Sequence, residues 1–269
     1  MPSEPAAQAC ALALVADRDV AEAAFGDHLS SREAVHLGGL ANPRVRRRWL
    51  AGRLAAKNLV LRGPGRPPRL IALDGARLRV FPAASYREIE LLAPAASGPP
   101  RLTRRGREIE PRVSISHGGG LSCAAVTSGS TGAAGGRTGV DLETVAPHVA
   151  AFYRGNFTPR ERRWAEGGAG ASDLPGEWLY TFLWTVKEAA LKSGATAARS
   201  VWELASLEVL LGGELRELLA GCRRAALGER FVSFETVVLA AQRKTRARIE
   251  TTATPEAVLS LFTPIEASR

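Results

Sequence analysis

Hydrophobic and polar positions along this chain switch between a helical and an extended period, and the switches mark its elements. The apolar run "CALALVA" predicts a buried first strand. "LSSREAVHLGGL" returns to the helical period, with Ser30 or Ser31 as its cap. "NPRVRRRWLAGRLAAKNLVL" predicts a long helix, because Asn42 can cap it and Pro43 supplies the fixed φ suited to a first helical position. Residues 62–76 turn Pro- and Gly-rich, and "ELLAPAASGPPRLTRRGREIEP" alternates strand-like pieces with turns. "RVSISHGGGLSCAAVTS" then reads as a hairpin, with Val113 and Ile115 on one face, Ser114 and Ser116 on the other, and glycines 118–120 in the turn.

"SGSTGAAGG" is the best linker candidate and divides the protein into expected halves, 1–130 and 131–269. Beyond it, "TGVDLETV" has the period of a short strand. "TPRERRWAEG" opens a helix with a capping box, Thr158 with Glu161, and Pro159 at the first helical position. "EWLYTFLWTVKEAALKSGA" is expected to be the longest helix and closes at Gly194. "LEVLL" and "RFVSFETVVLAA" make the C-terminal part strand-rich, and no internal sequence repeat is visible.

The chemistry starts in "TGVDLETV". Alternation along a strand puts Asp141 and Glu143 on one side and Val140 and Leu142 on the other. Like charges so close raise each other's pKa unless a cation, a basic group or water intervenes. A hard divalent cation, Mg²⁺ above all, suits such a pair, because it takes one or two carboxylates and fills its shell with water and phosphate oxygens. A solvated acidic edge is the plainer alternative. Glu188 and Lys192 have a comparable plain reading, as a surface pair four apart on a helix.

Charge adds a second constraint. Lys and Arg outnumber Asp and Glu by 36 to 27, which implies an anionic partner: nucleic acid, an acidic protein or a phosphorylated small molecule. At 100° per residue Arg46, Arg53 and Lys57 fall within a narrow arc, predicting a basic stripe on the long N-terminal helix. The 269 residues suffice for one large or two modest domains, and 23% charged residues is an ordinary globular share. No run approaches a membrane span, and the start lacks the basic residues of a signal peptide. Cys10, Cys123 and Cys222 are too scattered for a disulfide framework or zinc site, so a reducing cytoplasm is the expected compartment.

Taken in order, "SISHGGGLSCAAV", "GVDLE" and "FLWTVKEAALKSGA" resemble the motifs of the surfactin-type 4′-phosphopantetheinyl transferases. The likeness extends to "NPRVRRRWLAGRLAAKNLV" and "FTPRERRW", covering most of residues 29–202. That family moves the phosphopantetheine arm of coenzyme A to a serine of an acyl or peptidyl carrier protein, releasing adenosine 3′,5′-bisphosphate. The resemblance implies an α+β fold of two similar halves related by a pseudo-twofold, with coenzyme A and Mg²⁺, for which Mn²⁺ can substitute, in the cleft between them. It implies a three-carboxylate metal site of Asp141, Glu143 and Glu188. Glu188, Lys192 and His117 would carry the transfer: His117 by hydrogen bonding phosphate, Lys192 by neutralising the pyrophosphate, and Glu188 by taking the serine proton directly or through a water on the metal.

Coenzyme A contacts would further come from Ser116, Lys187, Arg48 and Arg53. Relatives often carry Gly-Lys-Pro ahead of the histidine motif. Here Gly98, Pro99 and Pro100 stand there, and Arg101 is the candidate substitute for the lysine. The expected partner is an acidic carrier protein bound transiently by a monomer, with neither nucleic acid nor membrane involved. Two alternatives stay open: a basic nucleic-acid-binding protein, and a catalytically silent carrier-binding relative.

Overall fold

A computed structural model describes residues 9–63, 70–92, 100–128, 138–167, 174–196, 200–240 and 243–265. The proposed linker "SGSTGAAGG" lies outside the described residues apart from the backbone of Ser128, and Gly98 and Pro99 also fall outside them. The chain separates into two compact units: Met1–Ile115 with Gly120–Ser130, and Ser116–Gly119 with Thr131–Arg269.

In the first unit, strand β1 (Ala9–Ala16) is followed by a short helix α1 (Glu22–Phe25), α2 (Ser31–Gly38) and the long α3 (Pro43–Arg62). Then come β2 (Leu70–Leu73), the short helices α4 (Gly75–Leu78) and α5 (Ala83–Arg87), β3 (Ile89–Leu92), β4 (Arg101–Arg104) and β5 (Arg107–Glu108). The hairpin strands β6 (Arg112–Gly118) and β7 (Leu121–Ser128) end it, although residues 116–118 of β6 already belong to the second unit. One sheet has the order β2-β1-β7-β6 and a second the order β3-β4-β5. β1 runs parallel to β2 and antiparallel to β7, with a neighbour on each side, as its unbroken apolar run requires. α3 packs on β1 and β7 and buries Leu50, Leu54 and Leu59.

The helix starts follow the capping chemistry. Ser30, rather than Ser31, caps α2 in a capping box with Glu33, and the Asn42 side chain accepts from Arg44 N and Val45 N ahead of Pro43. The expected basic stripe on α3 is not one continuous face. Arg46 is ion-paired with Glu22, Arg53 is only 8% exposed, and Lys57 is fully enclosed against Glu33. Acids from other elements take up Arg46 and Lys57, while Arg53 lays its guanidinium on the Trp49 ring, so the stripe breaks into three separate arrangements.

The second unit begins its regular structure at β8 (Gly139–Thr144), followed by α6 (Ala150–Asn156), α7 (Pro159–Glu166) and α8 (Gly176–Ser193). A 3-10 turn at Val201–Ser206 leads to β9 (Leu207–Leu210), α9 (Leu215–Arg223), β10 (Val232–Ala240), β11 (Arg243–Ala253) and β12 (Ala257–Pro264). The strands form an antiparallel sheet ordered β8-β12-β11-β10-β9. α8 lies on β8 and β12, burying Trp178, Phe182, Val186 and Ala189, and it ends at Gly194 in the left-handed conformation. With 18 residues it is shorter than the 20-residue α3 and is not the longest helix expected, because Gly194 stops it. Among the described residues, no helix is long and apolar enough to cross a membrane.

Candidate active site

The acidic strand β8 places Asp141 opposite Ser260 and Glu143 opposite Val258 of β12, so both carboxylates share one face of the sheet. α8 crosses β8 unusually closely. A Cβ on Gly139 would lie 1.9 Å from Ala189 O and 2.7 Å from Ser193 N, so only glycine admits this approach. The helix thereby brings Glu188 to the acidic pair, and one carboxylate oxygen each from Asp141, Glu143 and Glu188 lie within 4.8 Å of one another. Asp141 is wholly buried, whereas Glu143 and Glu188 are half-buried.

Two further residues complete this cluster. The Ser116 hydroxyl donates to Asp141 Oδ1 at 2.7 Å and accepts from Leu142 N at 3.2 Å and Lys192 Nζ at 3.0 Å. Ser116 reaches Asp141 because the end of β6 presses on β8: a Cβ on Gly118 would sit 2.5 Å from Leu142 O. The Lys192 ammonium bonds Asp141 Oδ1 and lies 3.3 Å from Glu188 Oε2. The Glu188–Lys192 pair does form, but as part of this partly buried cluster rather than as an isolated surface pair. His117, next along β6, is half-buried.

The donor set suits a hard cation. It consists of oxygens alone, and Asp141 Oδ2 is buried without a hydrogen-bond partner, an arrangement that costs free energy unless a cation or proton satisfies it. Burial raises the pKa of Glu188 above the ordinary carboxylate range, and the Asp141 charge raises it further while Lys192 opposes both. Positive charge added between the acids would relieve that penalty.

Lys187 is not a ligand-facing residue. It is fully enclosed, 2.8 Å from Glu161 Oε2, and donates to Asn156 O at 2.8 Å and Leu204 O at 3.2 Å. All three ammonium donors have protein partners, so the expectation that it binds coenzyme A is corrected to a buried ion pair. Its pKa is lowered by burial, against the opposing pull of Glu161. The sequence reading missed Glu161 in this second role, although the capping box made it visible as a cap.

The remaining expected contacts lie in the first unit. Arg53 stacks its guanidinium 4.1 Å from the Trp49 ring centroid, and its Nε is buried without a hydrogen-bond partner. Burial lowers its pKa to about 10, with Glu33 opposing. Arg48 is half-buried and likewise keeps an unpartnered Nε, while Arg101 is exposed on β4.

Residues 137–256 match the family model of the 4′-phosphopantetheinyl transferase superfamily. The match spans less than half of the chain. The matched phosphopantetheinyl transferase segment holds Asp141, Glu143, Glu188 and Lys192, whereas Ser116 and His117 lie outside it. The match supports phosphopantetheinyl transfer as the general activity. No curated protein matches the chain.

Proposed function

We propose that the protein is a surfactin-type, Mg²⁺-dependent 4′-phosphopantetheinyl transferase that modifies a serine of an acyl or peptidyl carrier protein, acting as a cytoplasmic monomer. The observation that carries this reading is the Asp141, Glu143 and Glu188 cluster, with its unpartnered Asp141 Oδ2 and the adjoining Lys192 ammonium. The three carboxylates would hold the divalent cation, which when bound supplies Lewis-acid polarisation of pyrophosphate oxygens.

The carrier serine oxygen attacks the phosphorus nearest the pantetheine, and the bond to the leaving adenosine 3′,5′-bisphosphate breaks. Lys192 contributes fixed positive charge where negative charge builds on the pyrophosphate. His117 donates a ring N–H to a phosphate oxygen. Glu188 would take the serine proton, directly or through a water. Arg48, Arg53 and Arg101 are assigned to the anionic groups of coenzyme A, the first two on the strength of their buried, unpartnered Nε atoms.

The test is intact-protein mass spectrometry on a panel of apo carrier proteins with coenzyme A and Mg²⁺. A gain of one phosphopantetheine arm, abolished by a chelator, is expected. Folded protein that modifies none of the panel would favour the two binding-protein alternatives, the nucleic-acid-binding and the silent carrier-binding one.

A further inference from the structure

We propose that Lys187 is a positioning residue for the metal site: its ion pair with Glu161 fixes the rotation of α8 about its axis and so aims Glu188 at Asp141 and Glu143. The inference rests on the metal reading above and adds a residue that touches neither substrate nor cation. Lys187 and Glu188 are consecutive, so their side chains leave α8 about 100° apart and turn together. A carboxylate about 6 Å from the axis moves about 1 Å for each 10° of helix rotation. Metal ligands tolerate displacements of only about 0.2 Å.

The lysine is fastened in a way that resists such a turn. Its ammonium binds three separate parts of the chain: Glu161 on α7, Asn156 O at the end of α6, and Leu204 O before β9. Glu161 is itself held by Thr158 N at 2.9 Å and by Val209 N of β9 at 2.9 Å. None of these bonds is shared with the acidic cluster.

The first unit contains the same device, which supplies an internal comparison. Lys57 of α3 is ion-paired with Glu33 and donates to His28 O at 3.3 Å and Tyr86 O at 3.1 Å. Glu33 accepts from Ser30 N at 2.9 Å and from Leu91 N of β3 at 3.0 Å. In both units the residue after the fastened lysine is held to specific partners. Asn58 donates to Tyr86 Oη at 2.7 Å, and Arg62 Nε donates to Asn58 Oδ1 at 2.7 Å. Glu188 and Lys192 occupy the same two steps after Lys187, so the device fixes a helix and the following residue decides what is presented.

Lys187→Met and Lys57→Met remove the same chemistry from the two units. Mn²⁺ serves as the probe, its affinity read by electron paramagnetic resonance well below each melting temperature. Both variants should melt earlier than the parent. Lys187→Met should lose tenfold or more in Mn²⁺ affinity, and Lys57→Met should stay within twofold of the parent. Equal losses in the two variants, or parental affinity in Lys187→Met, would overturn the positioning role. If Lys187→Met does not fold, Glu161→Gln, which keeps the volume and weakens the pair, takes its place with the same expected direction. A parent protein that binds no Mn²⁺ would overturn the metal reading itself, and this inference with it.

Discussion

Replacing Gly139 by alanine adds one methyl group at the closest approach of α8 to β8. The new carbon would lie 1.9 Å from Ala189 O, where non-bonded heavy atoms rest at about 3.5 Å. Neither neighbour can swing aside, because both are backbone of a buried helix, so α8 must withdraw by about 1.5 Å or tilt. Overpacking of this kind costs about 1–3 kcal/mol, which in a protein of this size lowers Tm by about 2–12 °C. The functional loss should be larger than the stability loss. Glu188 directly precedes Ala189, so the withdrawal carries it away from Asp141 and Glu143 by several times the tolerance of a metal site. A misplacement of about 1 Å costs roughly a hundredfold in rate. Gly139→Ala should therefore be folded at 25 °C, with weakened Mn²⁺ affinity and transfer reduced about a hundredfold. Thermal melting, Mn²⁺ titration and carrier modification on one preparation check this. A lowered Tm with parental Mn²⁺ affinity and turnover would refute the claim that the close approach serves the site.

Glu188→Gln should fold, yet lose metal affinity and cut transfer by roughly a hundredfold or more. Because the Glu188 pKa is raised, its contribution to stability is present below the ordinary carboxylate range and is lost as pH rises through the raised value. In chelator, the stability of Glu188→Gln relative to the parent should therefore increase from pH 4 to pH 8, and a constant difference across that range would contradict the cause assigned. Thiol titration at pH 8 should find Cys123 and Cys222 protected in the native protein, both being wholly buried and the Cys222 thiol pushed up by burial, leaving Cys10 as the reactive candidate. Rapid reaction of two or more thiols before unfolding would refute that.

Local rules made some residues legible and left others hidden, for physical reasons. Ser30, Asn42 and Thr158 were visible as caps because capping depends on a few neighbouring residues. The shared face of Asp141 and Glu143 followed from strand alternation alone. The fates of Lys57 and Lys187 were not visible, since a lysine in a helical pattern reads as solvated until another element delivers a buried acid. The two capping-box glutamates carry that information only in three dimensions. β2 was hidden in a Pro- and Gly-rich stretch, where Leu70–Leu73 gains its order by pairing with β1. α9 did carry a signal, with Leu215, Leu219 and Cys222 buried on one face, that the strand-rich reading of the C-terminal part passed over.

β6 changes allegiance part-way: its residues up to Ile115 belong to the first unit, while Ser116–Gly119 belong to the second. A gene fragment encoding residues 131–269 would therefore retain Asp141, Glu143, Glu188 and Lys192 but lack the hydroxyl that bonds Asp141 Oδ1, Leu142 N and Lys192 Nζ. Removal would take the Ser116 acceptor from Leu142 N and one bond each from Asp141 Oδ1 and Lys192 Nζ, which keep each other, and the glycine that lets the strand end rest on Leu142 would go with it. Excision, split-protein complementation or grafting of the acidic cluster onto another scaffold must carry the tetrapeptide 116–119 along, so the smallest transplantable version of this site is discontinuous in sequence.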